Sequence, residues 1–137
     1  SYFRLRLREL LNTSFPEKAF DAKFVEQRSS SAANAYEGAF RSGNAIDQCN
    51  EIANYILFEG LHFSKFDTVF QVVCKEFDTI MAEEELRPFA LKMLLDCEPV
   101  FARYELTDDF AYGYEYDLLY TEITGTIAIW IEENGLQ

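Results

Sequence analysis

Ser64-Lys-Phe-Asp-Thr-Val-Phe-Gln-Val-Val-Cys-Lys-Glu-Phe-Asp-Thr-Ile-Met81 is the stretch whose reading decides the fold class. Phe66, Val69, Phe70, Val73, Cys74, Phe77, Ile80 and Met81 recur at three- and four-residue intervals, the period of one helix face, and form the most regular apolar stripe in the chain. Ser64 stands where an N-cap belongs. Asp67, at the third helical position, is placed to act as the acidic member of a capping-box-like pair.

On the N-terminal side, Asn44 is a good cap for a helix whose face is Ile46, Cys49, Ile52, Ala53, Ile56 and Leu57, closed by Gly60. Before it, Asp21 caps a helix through Phe24, Val25, Ala32, Tyr36 and Phe40 to Gly43, with Ser29–Ser31 its weakest part. The opening segment has two readings: Phe3, Leu5 and Leu7 alternate with arginines as in a strand, while Phe3, Leu7, Leu10 and Leu11 share a helical face. A helix is expected, broken between Asn12 and Pro16.

On the C-terminal side, Glu83, Glu84 and Glu85 suit the positive end of a helix that carries Leu86, Ala90, Met93, Leu94, Cys97 and Phe101 and tolerates Pro88 in its first turns. Pro99 should kink or divide it. Residues 104–115 read as loop and short turns. The last segment, about Glu115 to Asn134, shares a face of Tyr116, Leu119, Tyr120, Ile123, Ile127, Trp130 and Ile131 and stops at Asn134-Gly135. Gly125 inside it is expected to allow close packing against a neighbouring helix. The sum is an all-α fold, one domain over residues 1–137, a compact bundle of about six helices in orthogonal or irregular packing with a kink at Pro99.

Composition agrees. A chain of 137 residues, 49% apolar, with 13 Phe and 8 Tyr, has the material for one buried core and is not a disordered segment. No apolar run approaches a membrane span, and Arg4, Arg6 and Arg8 interrupt any signal-peptide-like stretch, although a start at Ser1 rather than Met leaves room for a removed leader. Cys49, Cys74 and Cys97 are an odd, sparse set with no zinc-type spacing, which points to core thiols in a reducing, cytoplasmic setting.

The net charge of −12 is uneven. Residues 1–43 carry 7 basic and 5 acidic side chains, residues 44–137 carry 5 and 19, and no Lys or Arg follows Arg103. Such a surface repels phosphate backbones and anionic lipid, so direct nucleic-acid and membrane binding are disfavoured and a basic protein partner is favoured. Arg4 and Arg8, four residues apart, are expected to pair with the acidic C-terminal helices of the same molecule.

Three constellations are candidates for chemistry. His62, Ser64, Lys65 and Asp67 gather the lone histidine and a lysine near a helix N-terminus, a setting that suits an anionic ligand or general-base chemistry, but Ser64 and Asp67 already have capping roles and no partner for the imidazole is identified by spacing. The carboxylates of Asp108, Asp109, Glu115 and Asp117 could approach one another, yet their spacing matches no calcium loop, so no metal and no cofactor is expected. Tyr104, Tyr112, Tyr114, Tyr116 and Tyr120 put five of the eight tyrosines in one region with acidic groups and no basic ones. Tyrosine is enriched at protein interfaces, whereas nucleic-acid stacking platforms add Lys or Arg. The plain alternative is that these rings cover the core.

Gly60-Leu-His-Phe-Ser-Lys-Phe-Asp67, Cys97-Glu-Pro-Val-Phe-Ala-Arg-Tyr104, Asp108-Asp-Phe110 and Tyr116-Asp-Leu-Leu-Tyr-Thr-Glu-Ile-Thr-Gly-Thr-Ile-Ala128 together resemble an uncharacterised family of small helical proteins from Bacteroides-type bacteria, the domain of unknown function 1896. The resemblance spans nearly the whole chain. It implies a cytoplasmic bacterial setting and a role in the maintenance or transfer of conjugative transposons and related mobile elements, and it brings no catalytic or binding residues with it.

The leading expectation is therefore a non-enzymatic interaction module whose acidic, tyrosine-rich C-terminal surface, built from Asp108, Asp109, Tyr112, Tyr114, Glu115, Tyr116 and Asp117, binds a basic protein. A sharper version is a DNA mimic that occupies the groove of a nucleic-acid-binding protein. The rival class is an enzyme or small-molecule binder around His62. Homodimerisation through exposed aromatic faces is compatible with each.

Overall fold

The structure, a computed structural model, describes residues 1–136. It is all-α: α1 (Tyr2–Ser14), α2 (Ala22–Arg41), α3 (Ile46–Leu57), α4 (Lys65–Glu76), α5 (Glu83–Asp96), α6 (Glu98–Phe101), a 3-10 turn (Phe110–Tyr112) and α7 (Glu115–Asn134), with no strand among the described residues. The helices group into two compact units, Ser1–His62 and Phe63–Gln137.

In the first unit the strand-like alternation of α1 gives way to the helical period. Phe3, Leu7 and Leu11 are buried while Leu5 is 67% exposed, because a helix pairs its interior backbone groups within itself and needs no partner strand while one stripe is buried against α2 and α3. They pack with Val25 and Ala32 of α2, Ala53 and Leu57 of α3, and the flanking Phe15 and Leu61. Helix α1 runs two residues past Asn12, so the break falls at Phe15-Pro16. Ser29, expected to weaken α2, is buried and returns its hydroxyl to the Val25 carbonyl at 2.6 Å, which satisfies it inside the helix.

The cap of α3 is Ala45, not Asn44. Asn44 instead donates from Nδ2 to the Ala39 carbonyl at 2.9 Å, so its amide serves the end of α2. Arg28 donates to the carbonyls of Leu57 (3.2 Å) and Glu59 (2.7 Å), covering acceptors left open where α3 ends, before Gly60 turns the chain at φ +77°. Arg4 pairs with Glu26 of α2 rather than with the acidic C-terminal helices. Ile46 and Ile52, assigned to the core face of α3, are 59% and 41% exposed.

In the second unit α4 packs along α5 and α7, and Phe66, Val69, Val72, Val73, Ala90, Met93, Leu94, Cys97, Val100, Phe101, Phe110, Leu119, Ile123 and Ile127 form one core. Ser64 caps α4 by accepting from the Asp67 N–H at 2.9 Å. The helix stops at Glu76, earlier than the stripe suggests, and Phe77 and Met81 reach the core from the connecting segment. Pro88 lies within the second turn of α5, where it removes one backbone donor without ending the helix. Pro99, near the start of α6, coincides with the division of α5 from α6. Cys49 and Cys97 are buried as expected, whereas Cys74 is half-buried.

Gly125 departs from its expected role. It is exposed on α7, and a methyl group added there would meet nothing within 4 Å. Close helix packing therefore does not account for it.

Candidate interaction surface

The tyrosine-rich region separates into two populations. Tyr104, Tyr116 and Tyr120 are partly buried, and each ties its hydroxyl to a neighbour: Tyr104 to Glu122, Tyr116 to Gln71 at 3.1 Å, Tyr120 to Glu76 at 2.8 Å. Burial, reinforced by the hydrogen bond and the charge of Glu76, pushes the Tyr120 phenol up to about 12. Phe110 holds the group together, meeting Phe63, Tyr104 and Tyr116 edge-on at centroid distances of 5.3, 5.7 and 6.5 Å. These rings cover the core, as the plain alternative had it.

Tyr112 and Tyr114 are the other population. They flank Gly113 and stand 91% and 81% exposed. Between them, and joined by Glu105, Thr107, Asp109, Phe110 and Glu115, lies an open cleft of about 410 Å³. Its position follows from local structure: the short turn Phe110–Tyr112 buries Phe110 and throws Tyr112 outward, and α7 begins at Glu115. Thr107 donates from Oγ1 to Asp109 Oδ1 at 2.8 Å and steadies one wall. Residues 104–117 include five carboxylates and no Lys or Arg.

Of the seven residues expected to form the interaction surface, Asp109, Tyr112, Tyr114 and Glu115 line this cleft. Asp108 is exposed beside it, and Asp117 is exposed in the first turn of α7, where a carboxylate favours the helix N-terminus. Tyr116 belongs to the covering rings. Glu105, Thr107, Phe110 and Gly113 complete the cleft and were not singled out from sequence. A glycine between two tyrosines, three residues after Phe110, was the available signal for a protruding turn.

The other constellation is occupied by structural work where the second unit describes it. Ser64 caps α4, and Lys65 pairs with Glu98 at 3.2 Å and lies 5.9 Å from the Phe101 ring centre. Asp67 is exposed at the third position of α4. His62, the last residue of the first unit, is exposed. Among the described residues no group of three or more His, Cys, Asp or Glu side chains is arranged to hold a metal ion, and no helix is long and apolar enough to cross a membrane.

Charge separates sharply between the units. Residues 1–62 carry 7 basic and 8 acidic side chains, and residues 63–137 carry 5 and 16, so the second unit holds −11 of the net −12. Its Lys65 and Arg103 are paired with Glu98 and Glu122, and Arg87 and Lys92 lie over Phe66 and Trp130.

No curated protein matches the chain. Its fold is similar to the crystal structure of protein PG0816 from Porphyromonas gingivalis, at 39% sequence identity and a TM-score of 0.92, over 99% of this chain and 93% of that one. Residues 1–136 match the model of a family described as a domain of unknown function (DUF1896), and the chain belongs to that family.

Proposed function

We propose that the protein is a non-enzymatic protein–protein interaction module that offers the acidic tyrosine loop, Glu105 to Asp117, to a basic protein. The observation that carries this reading is the pair of almost fully exposed tyrosines at the rim of a cleft lined by Glu105, Asp109 and Glu115. An exposed tyrosine presents a large apolar face with a polar tip at little cost in side-chain entropy, the chemistry enriched at the centres of interfaces. The carboxylates supply complementary charge, which steers a basic partner and selects against acidic ones. In the cytoplasmic, mobile-element setting that we propose with this reading, a basic DNA-processing protein is a natural partner.

The test is affinity capture from the native host at low salt with nuclease present, comparing the wild-type protein with a variant carrying Tyr112→Ala, Tyr114→Ala, Asp109→Lys and Glu115→Lys. The wild type is expected to retain a basic protein that elutes as salt is raised, and the variant to lose it. Retention of the same proteins by both would refute the assignment.

The concentration of −11 in the second unit favours a second reading, in which that acidic surface mimics DNA in its partner's groove. Duplex DNA should then compete with the protein for the captured partner. Simultaneous binding of both would exclude mimicry while leaving the interaction module intact.

A further inference from the structure

The second unit has another concavity, unrelated to the tyrosine loop. A groove of about 460 Å³ runs between the segment after α4 (Ile80, Met81), the outer face of α5 (Glu84, Glu85, Pro88, Phe89, Lys92) and the end of α7 (Trp130, Gly135, Leu136). We propose that it binds an amphipathic basic segment of a protein partner, which seats an apolar side chain on the aromatic floor and a cation against Glu84.

The floor is apolar and partly open to solvent. Trp130 meets Phe89 edge-on at 5.7 Å, and Ile80 and Leu136 are 49% and 37% exposed. Exposed apolar side chains gathered in a concavity are what an apolar anchor residue fills with a gain in buried area.

Charge selects the occupant. Glu85 is engaged, accepting from the Ala82 N–H at 3.2 Å. Glu83 and Glu84 are exposed, and neither takes part in an ion pair among the described residues. Lys92, the one cation among the described residues that line the groove, lies 4.6 Å from the Trp130 ring centre and is thereby held over the indole. An incoming Lys or Arg therefore finds an unpaired carboxylate at one end of an apolar floor, within a unit of net charge −11. An apolar anion such as a fatty acid finds only Lys92 in its favour and Glu84 and Glu85 against it.

Trp130 is the chain's sole tryptophan and lies in the groove, so its fluorescence reports directly on occupancy of this site. The probe is a synthetic helix-forming peptide of leucine and lysine, with the leucines at i, i+3, i+4 and i+7. It is compared with a scrambled peptide of the same composition and with a leucine–glutamate counterpart. The amphipathic basic peptide is expected to give a saturable change in emission at about 0.15 M salt. Ile80→Asp should weaken that binding about tenfold by placing charge on the floor. Glu84→Lys, on the exposed first turn of α5, should weaken it about fivefold without touching the core.

Asp109→Lys with Glu115→Lys leaves this binding in place, so failure of the tyrosine-loop reading and failure of this one are told apart. The proposal is overturned if the basic amphipathic peptide leaves the emission unchanged, or if the scrambled peptide binds equally well. It is also overturned if a folded Glu84→Lys protein binds as the wild type does. A change of emission with protein concentration alone would reassign the groove to a second copy of the chain.

Discussion

Phe110→Ala tests whether the exposed tyrosines are displayed by an anchored turn. The Phe110 ring is 6% exposed and meets three other aromatic rings edge-on. Removing it forfeits the transfer free energy of nearly a whole side chain and leaves a cavity between Phe63, Tyr104 and Tyr116, a loss of about 4 kcal/mol. That corresponds to a fall in melting temperature of roughly 15 °C for a protein of this size. Phe110→Leu, which keeps most of the volume but not the ring geometry, should cost about 1.5 kcal/mol. Urea denaturation followed by far-UV circular dichroism measures both. Hydrogen exchange of the amides from Tyr104 to Tyr114 separates local release of the turn from global loss. A folded Phe110→Ala protein that loses less than about 1 kcal/mol and keeps wild-type exchange there would show that the turn does not depend on this anchor.

Gly125→Ala should stabilise the protein by about 1 kcal/mol, because the site is a helix interior with open space around the added methyl; a lower melting temperature would contradict this. Tyr120 ionises near 10 when unfolded and near 12 when folded, so the stability it confers is complete below pH 10 and is lost as pH rises through 12. Tyr120→Phe should accordingly flatten the alkaline limb of the pH–stability curve, and an unchanged limb would refute that origin. Burial, assisted by the charges of Asp96 and Glu98, pushes the Cys97 thiol up to about 12, and Cys49 is fully buried. A thiol reagent at pH 8 should therefore modify only Cys74 in the native protein, slowed because burial and Asp78 raise that thiol too, and all three cysteines in denaturant. If residues 1–137 are one cooperative domain, the midpoint read by Trp130, which reports on the second unit alone, should coincide with that read by circular dichroism, and separate midpoints would divide the chain into two domains.

Helix identity and most boundaries follow from local signals, because a cap, an apolar period and a stop all lie within a few residues. Ser64, Asp21 and Gly135 acted where they stood, and Pro99 coincided with the division of a helix. Even the ambiguous α1 resolved by period once its 3.6-residue stripe had helices to bury against. What local signals could not supply was the partner of each group. Asn44 has cap chemistry, but its amide nitrogen donates to a carbonyl of the preceding helix and Ala45 takes the cap position. Gly125 invites a close neighbour on composition alone, and only the packed unit shows that face open.

The candidate interaction surface divides the same way. Sequence alone located the tyrosines and carboxylates within one short region, and their density there is what the proposed basic partner was argued from. Which tyrosines face solvent depended on tertiary structure, since identical side chains a few residues apart differ in whether they pack against the core and whether Gln71, Glu76 or Glu122 comes within reach of their hydroxyls. Charge and periodicity are properties of neighbours along the chain and can be read from it directly. Exposure and pairing are decided by residues tens of positions away, and folding alone brings those together.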